Sequence, residues 1–431
     1  MAAIPTTDWR AWARYHYRWR IAALLFFATT INYLDRSVLS ILAPFLQREI
    51  GWTEIDYGHI VAAFQLAYGA GVVFAGKLLD KYGSRIVFAL GMAVWSVAGM
   101  GHALAQSVAG FFIARFFLGL GESANFPASI KTVAEWFPQK QRALITGIFN
   151  AGSTIGAILS PLLVPLIAVQ WGWRWAFIIT GMLGLIWLLF WLKSYRLPGQ
   201  HKKVTAEELA YINADPEAPL QKTSLVRLIF RKETLIISFA RFFTDPVWWF
   251  LLYWLPKFLE KQFHISLTAI GMPLITIYVA ADLGGIGGGW LSSFLIKKGK
   301  SVNASRKIAM LACAVCALPM VLIAQGPGLW TCVLLISLAS AAHQGWASNI
   351  FTLVSDIFPR NEVATVVGIS TVAAVLGGIL AATAIGWALE KTNSYSLVFS
   401  VAGCMYLLAW LLIKTGIPVI KKTTHIIKHT V

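Results

Sequence analysis

The sequence predicts an all-α membrane protein of twelve transmembrane helices in two pseudo-symmetric six-helix halves. Three observations lead there: a composition too apolar for a soluble chain, twelve bilayer-length stretches, and a segment of the first half that recurs in the second. Of 431 residues, 58% are hydrophobic and only 13% charged, against roughly 45–50% and about 25% in soluble globular proteins. That balance excludes an ordinary soluble enzyme, a disordered chain and a secreted disulfide scaffold. Nineteen Trp and 35 Gly suit a membrane protein, where aromatic rings gather at the interfaces and glycine lets helices approach. The CxxC at Cys313 and Cys316 has no second pair or His cluster to complete a metal site, and reads as helix packing.

A bilayer crossing needs about 17–25 apolar residues. Such spans fall at 21–46, 57–79, 86–106, 108–130, 143–168, 172–194, 234–258, 268–295, 306–325, 328–353, 364–388 and 395–416. The longest polar segment, between Ser194 and Glu233, separates six spans from six and holds Pro198, Gly199, Pro216 and Pro219. The domain reading is therefore a first half at 1–193, a cytoplasmic linker at 194–233 and a second half at 234–431. Within the linker, TAEELAYIN (205–213) has the pattern of a short amphipathic helix. The first span follows Arg10, Arg14, Arg18 and Arg20 and is interrupted by Asp35 and Arg36. A signal peptide has a shorter, unbroken apolar region, so this helix is expected to be retained.

The net charge is +17, from 36 Lys and Arg against 19 Asp and Glu. With alternating spans, and basic residues near a span's end counted with the adjacent loop, 28 fall on the side of both termini, 5 on the other side (Arg48, Arg174, Lys257, Lys261 and Lys391) and 3 deep within spans. Basic loops stay in the cytoplasm. The charge thus reads as topology, with both termini cytoplasmic in the bacterial inner membrane, and leaves no nucleic-acid partner to explain.

The repeat pairs EWFPQKQRALITGIFNAGSTIGA (135–157) with DIFPRNEVATVVGISTVAAVLGG (356–378) at a constant offset of 221 residues. Phe137 matches Phe358, Pro138 Pro359, Ala143 Ala364, Gly147 Gly368 and Gly156 Gly377. Parallel six-helix repeats with a midplane site are one of the standard plans of secondary transporters.

After the second span the chain reads GKLLDKYGSR (76–85), the form GxxxDKxGxR, with Gly76, Asp80, Lys81, Gly83 and Arg85. Gly76 is expected to allow a close helix contact and Gly83 a tight turn, while the charges clamp neighbouring helix ends. This loop resembles the signature of the major facilitator superfamily; GGGWLSSFLIKKG (287–299) is a degraded copy in the second half. INYLDRSVLS (31–40), RFFLGLGESANFPA (115–128), the 135–157 segment and AHQGWASNIFTLVSDIFPRNEVAT (342–365) look like its anion:cation symporter branch. That branch includes bacterial hexuronate and galactonate transporters, with sialin and the vesicular glutamate transporters as distant cousins. The resemblance spans roughly residues 20–416, and TDPVWWFLLYWLPKFL (244–259) together with 342–365 looks most like the hexuronate members. Ser153 and Thr371 stand where galactonate-type members usually carry amides.

Seven ionisable groups lie at membrane depth: Asp35, Arg36, Arg115, Glu122, Arg241, Asp245 and Asp282. Each costs about 2.5–3.5 kcal/mol or more at a lipid-exposed helix centre, so they must face a cavity or one another. Asn32, Asp35 and Arg36 share a helical face, and an arginine fork suits a carboxylate. Tyr33 and Tyr68 offer donors for sugar hydroxyls. Arg115 and Glu122 lie two turns apart on one face. The resemblance implies that Asp35 and Glu122 carry the proton, that Arg115 is a switching partner and that Arg36 contacts substrate. A purely structural ion pair is the competing reading at both places.

In the seventh span Arg241 and Asp245 stand four apart, followed by Trp248, Trp249 and Trp254. Mutual neutralisation and an aromatic belt compete here with a substrate-facing Trp249. Asp282 lies in a glycine-rich eighth span. His343, Gln344, Ser348 and Asn349 share the tenth; Gln344, Ser348 and Asn349 fit a polyhydroxylated ligand, and His343 reads more readily as a packing residue. The sequon at Asn303 falls on the cytoplasmic side of this topology and is discounted.

The expectation is therefore a monomeric, proton-coupled symporter importing a sugar-acid anion, a hexuronate such as galacturonate or glucuronate. It needs the bilayer and protons but no cofactor or metal. Two alternatives stay open: carriage of another organic anion such as an aldonate or sialic acid, and a receptor that binds sugar acids without moving them. A polytopic enzyme is disfavoured, because no HExxH, GxSxG or metal cluster is present.

Overall fold

The computed structural model describes residues 17–214 and 224–420; Arg10, Arg14, Pro216 and Pro219 lie outside the described residues. The helices are α1 (Arg18–Ile50), α2 (Glu54–Gly101), α3 (Val108–Glu122), α4 (Asn125–Trp136), α5 (Gln139–Trp171), α6 (Trp173–Ser194), α7 (Ala206–Ile212), α8 (Leu225–Ile229), α9 (Lys232–Phe263), α10 (Gly271–Lys297), α11 (Val302–Ala317), α12 (Leu329–Ile357), α13 (Arg360–Thr392) and α14 (Ser396–Gly416). Eight helices among the described residues are long and apolar enough to cross a membrane. One of these, α2, is two passes in series. Gly83 (φ 76°, ψ 164°) breaks its helical backbone in the middle of the signature loop, a conformation that glycine adopts without a Cβ penalty. The consecutive pair α3 and α4, together with α1 and α12, supplies the remaining long apolar runs, diluted by buried polar residues. Together these make the two-bundle, all-α membrane fold that the sequence predicts.

Prolines sit inside α1 (Pro44), α5 (Pro161, Pro165) and α9 (Pro246, Pro256). Membrane helices tolerate them because neighbouring groups satisfy the freed carbonyls.

The chain forms two compact units. Among the described residues, one comprises 17–39 and 67–214, the other 40–66 and 224–420. The end of α1 and the start of α2 thus pack with the helices of the second unit.

In the first unit α5 lies against α1 at backbone distance. A Cβ on Gly156 would sit 2.4 Å from the Thr30 carbonyl oxygen. In the second unit α13 meets α9 in the same way, with Gly377 against the Phe242 carbonyl at 2.3 Å. Gly156 and Gly377 are 221 residues apart, Thr30 and Phe242 212. The internal repeat is therefore a repeat of helix contacts, and it supplies the register for the first helix of each half as well. A second zipper joins α10 to α12. A Cβ on Gly284 would lie 2.2 Å from Ala341 Cα, and one on Gly288 2.4 Å from Gly345 Cα. The glycine-rich eighth span is thus used for close packing.

The linker begins with a docked element. Thr205 caps α7 by accepting from the Glu208 N–H, the start of a Thr-x-x-Glu capping box. Glu208 then turns to another helix and accepts from the backbone N–H groups of Tyr17 and Arg18 at 3.0 and 3.1 Å. It thereby caps α1, where unpaired N–H groups favour an anion.

Candidate functional site

The polar core of the first unit is built on α1, the second half of α2, α3 and α6. Arg36 donates from Nε and Nη2 to one oxygen of Glu122, at 2.9 and 2.7 Å, and from Nη2 to Asn32 Oδ1 at 3.3 Å. Its guanidinium lies 4.9 Å from the Tyr33 ring centre and 5.2 Å from that of Tyr68. Arg115 donates to the Arg36 carbonyl at 2.9 Å. The arginine that pairs with Glu122 is thus Arg36, on another helix, rather than Arg115 two turns away. Arg36 is 8% exposed and Glu122 1%, so the pair is shielded from salt and from bulk water.

Asp35 is different. It is 3% exposed, and neither carboxylate oxygen makes a hydrogen bond of acceptable geometry. Its polar neighbours are Thr180 and the Trp95 indole, with Glu122 and Arg115 acting on it through space. Trp95 Nε1 is also without a protein partner. An ionised carboxylate without donors is among the costliest groups to bury. The adjacent residues Asp35 and Arg36 therefore play opposite parts: Arg36 is ion-paired to Glu122, and Asp35 has no ion-pair partner among the described residues.

In the second unit Arg241 donates to Asp245 at 3.1 and 2.8 Å, and also to Ser370 (3.0 Å) and Thr371 (2.9 Å) on α13. The neutralising reading of this pair is what the geometry supports. Trp249 lies over Gly378, whose Cβ would fall 2.0 Å from the indole. Ser348 donates to the Gly285 carbonyl at 3.2 Å, and Asn349 Nδ2 to that of Gly288 at 3.0 Å. These two groups secure the α10–α12 zipper, while Asn349 Oδ1 stays buried without a partner. Gln344 is half-buried on the same helix. Ser153 donates to the Asn150 carbonyl of its own helix.

The signature loop is tied down on the side of the termini. Lys131 donates to Asp80 and to the Leu79 carbonyl, at 2.8 and 2.9 Å. Arg85 donates to the Leu192 carbonyl at 2.8 Å, and Lys81 lies over the Tyr82 ring. Gly83 makes the turn. A Cβ on Gly76 would meet nothing within 4 Å, so the close helix contact expected there is not made.

Three features escaped sequence reasoning. Trp95 and Thr180, which flank Asp35, sit in apolar runs with nothing to mark them. Trp248 lies flat on His343, ring centres 5.2 Å apart and 3° from parallel, while His343 Nδ1 and the Tyr406 hydroxyl share a 2.7 Å hydrogen bond. Lys257, counted from the sequence among loop charges, is buried in α9 and donates to Glu54 at 2.7 Å; the signal was a Lys one residue after Pro256 at a span's edge.

Residues 25–382 match the Major Facilitator Superfamily. The chain is 35% identical over 405 residues to the hexuronate transporter of Escherichia coli K12, covering 92% of this chain and 93% of that protein. It is 32% identical to a probable L-galactonate transporter of the same organism, covering 89% and 85%. A crystal structure of a D-xylose–proton symporter superposes with a TM-score of 0.72 at 18% identity, over 92% of this chain and 97% of that one, a likeness of fold. The chain belongs to the Major Facilitator Superfamily, a family of multi-pass membrane transporters rather than enzymes.

Proposed function

We propose that this protein is a proton-driven symporter that imports a sugar-acid anion, with a hexuronate such as galacturonate or glucuronate as its substrate. The observation that carries the reading is the contrast between Asp35, buried with no ion-pair partner and only Thr180 and the Trp95 indole as polar neighbours, and Arg36, one residue on, held by Glu122. The Arg36 guanidinium is a planar fork, and Glu122 occupies its Nε/Nη2 edge. Protonating Glu122 removes the charge that competes for the fork and leaves it for the substrate carboxylate. Proton and anion then favour the same state, which is what coupling requires. Asp35 supplies the second protonatable carboxyl, Arg115 holds the α1 backbone at Arg36, and Tyr33 and Tyr68 border the guanidinium. Trp249 and Gln344 are proposed as the sugar-facing groups of the second half, with Ser348 and Asn349 fixing the helix that carries Gln344 against α10.

The basic loops support cytoplasmic termini, with halves at 1–193 and 234–431 joined by the 194–233 linker. The relatives named for hexuronate and for L-galactonate transport support the sugar-acid class. Ser153 and Thr371, in place of amides, favour a hexuronate over an aldonate. The test is uptake of labelled glucuronate into proteoliposomes under an acid-outside gradient, with unlabelled galacturonate, galactonate and sialic acid as competitors. Accumulation abolished by a protonophore and competed best by galacturonate supports the reading. Binding without accumulation indicates a receptor, and stronger competition by galactonate an aldonate carrier; either overturns it.

A further inference from the structure

A histidine that this mechanism does not use sits at the far end of the same polar core. His102 forms the first residue of a 3-10 turn after α2 and is 0% exposed. Its ring lies flat on Phe177, centres 5.0 Å apart and 7° from parallel, with Phe111 edge-on at 6.0 Å. Nδ1 is 2.8 Å from the Ala98 carbonyl oxygen. A carbonyl only accepts, so Nδ1 carries the hydrogen and the neutral ring presents a bare lone pair at Nε2. That nitrogen is buried and has no partner.

Three helices continue this environment towards Asp35. On α2, Trp95 and His102 stand seven apart, two turns on one face, about 10 Å along the axis. On α6, Trp173 and Phe177 border the aromatic box around His102, and Thr180, one turn further, borders Asp35. On α3, Phe111 packs on the histidine and Arg115 is the charged group acting on both His102 and Asp35. The indole N–H groups of Trp173 and Trp95 are each buried without a partner. The unpartnered His102 acceptor, the unpartnered Trp173 donor and the Asp35 carboxylate with the Trp95 indole beside it thus follow one stripe within a single unit. Unsatisfied buried polar groups of this kind are what ordered water bridges.

We propose that His102 is a proton relay to Asp35, acting through water held along this stripe; the inference rests on the reading of Asp35 as a proton carrier. Hydronium at the end of the bundle opposite the chain termini gives its proton to His102 Nε2 and leaves water, making the imidazolium while Nδ1–H keeps its bond to Ala98. The Nε2 proton passes through water to an Asp35 oxygen, forming the carboxylic acid and restoring the neutral ring. Arg115 is the ionised group that faces His102; the rings of Phe111, Phe177 and Trp173 carry no charge. The proton route is then separate from the route of the sugar acid.

His102→Asn tests this, because its amide can keep the donation to Ala98 while removing Nε2. The expected result is a loss of at least about tenfold in the initial rate of gradient-driven uptake, the lower range for removing an acid–base group, with substrate counterflow within about twofold of wild type. In His102→Ala, added imidazole should restore part of the driven rate, which a packing role does not predict. Wild-type driven uptake by His102→Asn from pH 5.5 to 8 overturns the relay, as does loss of counterflow in step with driven uptake without imidazole rescue. Asp35→Asn keeps the two readings apart. If it accumulates substrate like wild type, the proton-carrier reading fails; if it does not while His102→Asn does, only the relay fails.

Discussion

Trp248 lies flat on His343 at the positions where the first half holds the Arg36–Glu122 ion pair. Offsets of 212 residues for the first helix of each half and 221 for the fourth carry Arg36 onto Trp248 and Glu122 onto His343. The two halves thus keep one scaffold and differ in chemistry. The first half invests this crossing with charge, and the second fills it with a neutral stack anchored to Tyr406.

Glu122→Gln keeps the size of the side chain and resembles the permanently protonated acid. Proteoliposomes with this variant should lose accumulation under a pH gradient while counterflow persists. One pH unit is worth about 1.4 kcal/mol per proton, a tenfold concentration at one-to-one coupling. Tenfold accumulation by the variant under such a gradient would remove Glu122 from the coupling mechanism.

Arg36→Lys keeps the charge but loses the planar fork, and Arg36→Ala loses both. Hydrogen bonds to charged groups contribute roughly 1.5–3 kcal/mol. The lysine variant should therefore bind substrate at least about tenfold more weakly and the alanine variant about a hundredfold. Equilibrium binding in detergent measures this directly, and wild-type affinity in Arg36→Ala would exclude the carboxylate role.

Topology follows from the basic loops and can be read by labelling a cysteine-free background. Lys81→Cys, Lys203→Cys and Lys298→Cys should react with an impermeant thiol reagent from the cytoplasmic side, and Glu49→Cys and Lys391→Cys from the other. Gly51 is avoided because its φ of 77° strains any other residue. Labelling of Lys203→Cys in intact cells would reverse the orientation.

The helices and their order were legible in the sequence because lipid imposes length and apolarity on every crossing. The signature loop was legible because a turn with φ > 0 needs its glycine. The site was half legible. Arg36, Glu122 and Asp35 stand out as charges in apolar runs, but which arginine meets Glu122 depends on how helices cross, and spacing along α3 pointed to Arg115 instead. Trp95, Thr180 and His102 matter through what surrounds them. Such residues are ordinary in an apolar helix, and only the fold reveals that Nε2 of His102 has no partner and that Trp95 and Thr180 stand beside Asp35. Ser348 and Asn349 teach the converse. Polar side chains that the sequence reads as a binding face can be committed to neighbouring carbonyls across a glycine contact.

The buried pair Glu54–Lys257 offers the sharpest test of the second unit. Lys257 is 3% exposed; its ammonium donates to Glu54 at 2.7 Å and lies 4.6 Å from the Tyr57 ring centre. The Tyr57 hydroxyl donates in turn to the Tyr253 carbonyl on α9. Glu54 also presents its backbone N–H to Glu390 at 2.9 Å, so a second carboxylate stands close by. Removing one member of a buried pair leaves an uncompensated charge and typically costs about 3–5 kcal/mol, whereas replacing both with apolar groups of similar volume is often neutral. Lys257→Met should therefore lower the melting temperature in detergent strongly, since it strands Glu54 beside Glu390. Glu54→Gln should cost less, because Glu390 remains to compensate the ammonium. The double variant should recover most of the loss of Lys257→Met, giving a large favourable coupling in the double-mutant cycle. Additive losses in that cycle would mean that the two side chains do not interact in the membrane, and that the start of α2 is held to α9 by packing and by the Tyr57–Tyr253 hydrogen bond.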